Sequence, residues 1–240
     1  MASSIQQNAN MNGPQNTRYG PHMGRHRGWI GKLGEEPFLH RFGGQSWGAK
    51  AKSGGGNPPP VLLLTLDLSD DRLTSLRSGG SRAQEIPLCG HLNCAELSVQ
   101  AYQIEAVSRT VQFVTDSPSQ TDAGGSLLFP VPLPERRIRL VPMENCHLPV
   151  DADTYWQACD SFVGGGSFIR ILGPPVWLQH SETEQCRCGR NMDYVASIGY
   201  ERYDAPAGFL DKAAFFIGEV AMYFFLCKEC MRIHVLSQST

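Results

Sequence analysis

The chain has 240 residues, of which 41% are hydrophobic and 18% charged, and its formal net charge is -2. That balance excludes wholesale disorder and a fibrous chain, and it lacks the Lys/Arg surplus that phosphate neutralisation requires, so nucleic acid is disfavoured as a partner. The longest apolar runs, such as Ala221 to Cys227, are far shorter than the roughly 20 residues that cross a bilayer, so no membrane partner is expected.

Residues 1–28 are polar and Gly-rich, with too few large apolar side chains to offset the entropy of ordering, and they predict a disordered tail. No apolar segment of a secretory signal is present there, which predicts a cytoplasmic protein. That compartment keeps thiols reduced, so the eight cysteines read as metal ligands, free thiols or reactive groups rather than as four disulfides. Charge is uneven: residues 1–58 hold seven Lys or Arg against two Asp or Glu, hence +5, which leaves -7 on the remainder. A basic extension on an acidic body is either a solvated tail or a weak tether to an anionic surface.

A first lobe is predicted over 29–118. Within it, Val61 to Leu68 reads as a buried strand, Ser69 as the cap of a short helix through Leu76, and Leu97 to Ile104 and Val107 to Val114 as two further strands. A Ser, Asp, Gly and Pro-rich linker follows, with 119–134 separating the halves. The second lobe, 135–240, opens with a helix starting at Asp151 or Asp153. Tyr155, Cys159 and Phe162 share one face of it, Trp156 and Val163 lie on its flank, and Gly164 to Gly166 end it. Strands are then predicted at Phe168 to Leu172, Met192 to Tyr200, Val220 to Leu226 and Met231 to Ser237. The fold class is therefore a β-rich α+β protein of mainly antiparallel strands with a few short helices. Trp29, Trp47, Trp156 and Trp177, with Tyr223, Phe224 and Phe225, are expected to pack the lobes together. The aromatic strand would serve a partner only if its outer face were uncovered.

The halves share an order of landmarks. Phe42, Gly43, Gly44 and Trp47 precede the strand at Val61, as Leu172, Gly173 and Trp177 precede the strand at Met192. Leu88, Cys89, Cys94, Leu97, Val99 and Gln100 likewise resemble Leu226, Cys227, Cys230, Ile233, Val235 and Gln238. This predicts two pseudo-symmetric duplicated lobes, the first of them a degenerate copy without counterparts of Cys186 and Cys188.

The sharpest chemical signal is Cys186-Arg187-Cys188-Gly189 followed by Cys227-Lys228-Glu229-Cys230. Two close thiol pairs, each at a turn beside a strand, suit tetrahedral Zn²⁺, and a complete thiolate set leaves no position for water, so a structural zinc site is predicted. Gly189 suits a turn that needs positive φ. A thioredoxin-like role for Cys227 and Cys230 would need a helix N-terminus, whereas Met231 to Leu236 alternates as a strand does. Cys89, His91 and Cys94 form a second group that lacks an obvious fourth ligand unless Cys146 or His147 supplies it. It reads either as a degenerate copy of the later pair or as a catalytic metal site with an open position. Cys159 reads as a small core residue, and Asp151 and Asp153 as helix-capping and dipole-complementing acids. Gly43 to Lys50 lacks the Lys and Ser/Thr placement of a phosphate loop, Gly164 to Gly166 lacks a dinucleotide fingerprint, and no H-E-x-x-H or G-x-S-x-G run occurs.

Leu172-Gly173-Pro174-Pro175-Val176-Trp177-Leu178-Gln179, then Cys186-x-Cys188-Gly189 with Met192, then Tyr223-Phe224-Phe225-x-Cys227-x-x-Cys230 and Gln238, together resemble the YwqG-like family of bacterial proteins. Phe42-Gly43-Gly44 and Leu62 to Asp67 look like the earlier copy of that family's duplicated unit. The Gly-Pro-Trp segment, Cys pair, strand and second Cys pair are more distantly similar to the programmed cell death protein 2 family, whose members escort a nascent ribosomal protein. That family's His-Arg-x-Leu approach to the aromatic strand is replaced here by Glu219-Val220-Ala221-Met222, so its client is not carried over. The resemblance implies a duplicated β-rich fold without known catalysis. The functional expectation is a non-enzymatic, zinc-stabilised protein-interaction module, chaperone-like or toxin-neutralising. A metal-dependent hydrolase working at Cys89, His91 and Cys94, or a weak nucleic-acid binder, stands as the alternative.

Overall fold

The structure, a computed structural model, describes residues 27–52, 59–78, 83–92, 99–115, 129–149, 151–202, 204 and 208–240. The predicted tail up to residue 26, most of the predicted linker, and Cys94 lie outside the described residues.

The chain is strand-rich. Its strands are β1 (Trp29–Leu33), β2 (Arg41–Phe42), β3 (Gly48–Lys50), β4 (Val61–Asp67), β5 (Glu85–Gly90), β6 (Gln100–Glu105), β7 (Thr110–Phe113), β8 (Arg136–Pro142), β9 (Ile169–Ile171), β10 (Asp193–Ile198), β11 (Val220–Cys227) and β12 (Arg232–Ser239). One α-helix, α1 (Ala152–Phe162), and two 3-10 turns, Asp71–Leu76 and Asn145–His147, complete the described elements.

The strands form one sheet in the order β3-β7-β6-β12-β11-β10-β9-β1-β8-β2-β4-β5, antiparallel throughout except where β3 meets β7. Elements from the two halves interleave: β1 lies between β9 and β8, and β6 pairs with β12. The sheet curls until β5 reaches β6, where side chains replace a main-chain ladder. The Tyr102 hydroxyl accepts from the Cys89 N–H and donates to the Pro87 carbonyl, each at 2.9 Å, and Gln100 Oε1 accepts from the His91 N–H at 3.0 Å. The exposed backbone of an edge strand is thereby satisfied and the sheet nearly closes.

Two arcs run outward from the central β1–β8 pair, β9-β10-β11 on one side and β2-β4-β5 on the other. Each has a register shift at the same place, between Leu62 and Leu64 in β4 and between Tyr194 and Ala196 in β10. The carbonyl of each skipped residue accepts from the segment after the short strand: Leu63 from the Gly43 N–H at 2.9 Å, Val195 from the Leu172 N–H at 2.8 Å. The donors share positive φ, +66° at Gly43 and +56° at Leu172.

β11 shows why its sequence is almost continuously apolar. Met222, Phe224 and Leu226 join the main core inside the curled sheet, with Phe42, Leu64, Phe168 and Ile233. Ala221, Tyr223, Phe225 and Cys227 face outward into a second core under α1 and the 176–178 segment. Trp177 stacks on Tyr223 and lies nearly parallel to Phe225, so the outer aromatic face is covered. Strands buried on both faces lose the alternation of half-exposed ones.

The predicted helix is α1. Asp151 caps it by accepting from the Thr154 N–H at 2.8 Å, and Thr154 Oγ1 accepts from the Asp151 N–H at 3.0 Å, a reciprocal capping box. Tyr155, Ala158, Cys159 and Phe162 are buried. Trp156 corrects an expectation. At 58% exposed it does not join the core, because one helical step turns it about 100° from the buried stripe. The cap of the 71–76 turn is Asp70 rather than Ser69, whose hydroxyl is taken by Asp67 at 2.7 Å.

Candidate metal centre

Antiparallel pairing of β10 with β11 puts Asp193 opposite Leu226, so the turn entering β10 and the turn leaving β11 meet at one end of the ladder. In the first turn the Cys186 N–H donates to the Arg190 carbonyl and the Gly189 N–H to the Cys186 carbonyl, both at 2.8 Å. Gly189 has φ +82°, a conformation in which a side chain would be strained even though the space beside it is open. The second turn occupies residues 228–231, and Gln103 of β6 donates to the carbonyls of Cys230 and Met231. These turns bring the four predicted ligands together. The sulfurs of Cys186, Cys188, Cys227 and Cys230 all lie within 4.8 Å of one another and could hold a metal ion, with Cys188 and Cys227 3.7 Å apart. Cys186 and Cys227 are buried, Cys188 is exposed and Cys230 lies between.

The thiols are not equivalent as acids. The Arg190 N–H, then the neighbouring thiols, pull Cys188 down to about 7. The bonds with Cys188 and Cys227 push Cys230 up to about 12, and burial pushes Cys227 up. Groups so closely coupled lose protons as a set.

Sequence reasoning missed a second cluster of potential ligands, Glu36, His40 and Asp70. His40 is completely buried, and its Nδ1 accepts from the Asp67 N–H at 3.0 Å. The ring proton therefore sits on Nε2, which donates to Asp70 Oδ2 at 2.9 Å. The guanidinium of Arg72 supplies the cation here, reaching both Asp70 oxygens through Nε and Glu36 Oε2 through Nη2 at 2.6 Å. Trp29 and Phe38 cover it, each ring centroid 5.3 Å from the guanidinium carbon. Burial works to raise the Asp70 carboxyl, but the hydrogen bonds from Arg72 and His40 hold it below the usual carboxylate range. No simple spacing connects residues 36, 40 and 70, so a pattern search had nothing to find.

Of the other predicted group, Cys94 lies outside the described residues. Cys89 is fully buried in β5, and burial pushes its thiol well up from the ordinary value. The His91 ring meets Phe113 edge-on at 4.8 Å. Cys146 and His147 belong to neither ligand cluster among the described residues, and the His147 carbonyl accepts from buried Arg170. Cys159 lies in the outer core, as expected of a small apolar residue.

A cleft of about 560 Å³ lies beside the four cysteines. Leu172, Pro175, Trp177, Tyr194 and Phe225 give it apolar and aromatic walls, while Glu182, Glu184, Asp193 and Lys228 supply its charges. Lys228, within the second cysteine turn, pairs with Asp193 at 2.9 Å and donates to the Ser75 carbonyl at 3.1 Å. The Glu184 carbonyl accepts from the Met192 N–H at 2.8 Å, so the cleft wall and the first cysteine turn share a strand-like segment.

Comparison with protein-family models, with curated proteins and with solved structures gives no match for this chain. Among the described residues no helix is long and apolar enough to cross a membrane.

Proposed function

We propose that this chain is a zinc-stabilised, non-catalytic protein-interaction module, with Cys186, Cys188, Cys227 and Cys230 as the four ligands. One observation carries the reading: four thiols from two turns converge within 4.8 Å. At Zn–S bonds of about 2.3 Å, a regular tetrahedron has S–S edges of about 3.8 Å, and the Cys188–Cys227 separation of 3.7 Å already matches one edge. Soft thiolates select zinc over hard cations, and four of them fill its coordination sphere, which leaves no open position for an activated water. The ion's role is then to tie the β10 and β11 ends together.

The duplicated-lobe reading, and with it the likeness to the YwqG-like family, belongs to this proposal. Support comes from the two arcs, which repeat a short strand, a positive-φ donor and a strand irregularity in the same order at Phe42-Gly43 to Leu64 and at Ile171-Leu172 to Ala196. Metal content of reduced protein purified without chelator or a His-tag column tests the reading. One zinc per chain, lost together with thermal stability in Cys227→Ser, is expected, and freshly reduced protein that folds without metal would sink it.

A further inference from the structure

We propose that the cleft beside the cysteine turns is the partner site, and that its occupant is a basic, Lys/Arg-bearing segment of another protein. This rests on the zinc reading above, because the metal completes the charge of the site. Glu182, Glu184 and Asp193 face one opposing charge, Lys228, in the cleft. A zinc ion bound by four thiolates adds two further negative charges at its edge, since four anionic sulfurs outweigh a dication. Beyond residue 58 the chain carries a formal -7, a diffuse charge that also favours a cationic partner.

The walls fit a long cationic side chain. Half-buried Tyr194 and Leu172 offer aromatic and apolar surface to the methylene stem, backed by the buried Trp177, Phe225 and Pro175. The cleft's volume lies within the usual range of binding pockets. Two of its carboxylates have imidazole neighbours, His180 at Glu182 and His234 at Glu184, but neither imidazole lines the cleft. Nucleic acid, with its anionic backbone, meets repulsion at this surface.

The test is fluorescence anisotropy of the full, zinc-loaded chain with a labelled Lys/Arg-rich peptide and its Asp/Glu counterpart, with metal content measured on the same samples. The basic peptide is expected to bind and the acidic one not, with binding weakened by added salt. Glu182→Lys and Asp193→Asn alter solvent-facing rim groups. Each is expected to weaken binding about two- to fivefold while zinc content stays unchanged. Unchanged affinity in both variants, or equal binding of the acidic peptide or of a single-stranded oligonucleotide, overturns the proposal. So does displacement by a synthetic peptide of residues 1–26 at far lower concentration than by unrelated basic peptides, which would assign the cleft to the chain's own N-terminal segment. A zinc-loaded chain that ignores the basic peptide defeats this inference alone. A folded chain without zinc defeats the reading beneath it.

Discussion

Among the described residues two places gather groups that could ligate a metal, and they solve the problem of concentrated negative charge differently. At Glu36, His40 and Asp70 the chain brings its own cation: Arg72 bridges both carboxylates and is roofed by Trp29 and Phe38. At the four cysteines four sulfurs converge, and Lys228, the nearby ammonium of the second turn, is committed to Asp193 and the Ser75 carbonyl. The carboxylate cluster thus has its positive charge supplied from within the fold, whereas the four cysteines could hold a metal ion. Ligand softness separates the two clusters as well, since thiolates are soft ligands and carboxylates hard ones.

The most damaging change should be Cys227→Ser. Metal and stability are expected to fall together, by several kcal/mol, because apparent binding energies of about 10–16 kcal/mol in small zinc modules rival a domain's whole stability. Calorimetry with elemental analysis checks it, and a chelator on the unmutated protein should reproduce the effect.

Asp70→Asn should come next, at about 3 kcal/mol, since it leaves buried His40 and Arg72 without their shared carboxylate. Metal content should not change. A variant that loses metal would show that the two clusters are not separate in kind.

Acid sharpens the same contrast. The Asp70 carboxyl is held below the usual carboxylate range, so its contribution is fully present above that range and disappears as pH falls through the depressed folded value. Urea midpoints measured between about pH 2 and 5, with any metal release followed in both proteins, should show a larger acid loss in the unmutated chain than in Asp70→Asn. Equal slopes would remove Asp70 from the account.

The smallest effect is expected at Trp156. Its ring is exposed, so Trp156→Ser should move stability by no more than about 0.5 kcal/mol and leave metal content alone. A larger loss would mean that the exposed ring contributes to α1 stability.

Parts of the fold were legible wherever near neighbours set the pattern. The helix α1 follows from a capping residue and a buried stripe within eleven residues, and β10, β11 and β12 follow from apolar runs bounded by turns. Illegible were β1, β5, β8 and the very short β2 and β3. Their identity depends on partners far away in sequence, as Trp29 pairs with Pro142 and Arg41 with Arg137. The choice of Asp70 over Ser69 as cap was in part nonlocal, because His40, thirty residues away, holds the Asp70 carboxylate in place together with neighbouring Arg72. The Glu36, His40 and Asp70 cluster was invisible for a similar reason, its members being joined by folding and not by spacing.

By itself the sequence determined the four-cysteine constellation, as two close thiol pairs at strand-flanking turns, and it determined the strand-rich character through runs of apolar residues. Tertiary structure alone decided that both halves thread one curled sheet and that one carboxylate cluster is closed by an arginine. It also decided that an acidic, aromatic cleft opens beside the cysteines. The physical reason is range: periodicity and turn chemistry act over a few residues, whereas charge neutralisation and pocket walls are assembled from segments that only strand pairing brings together.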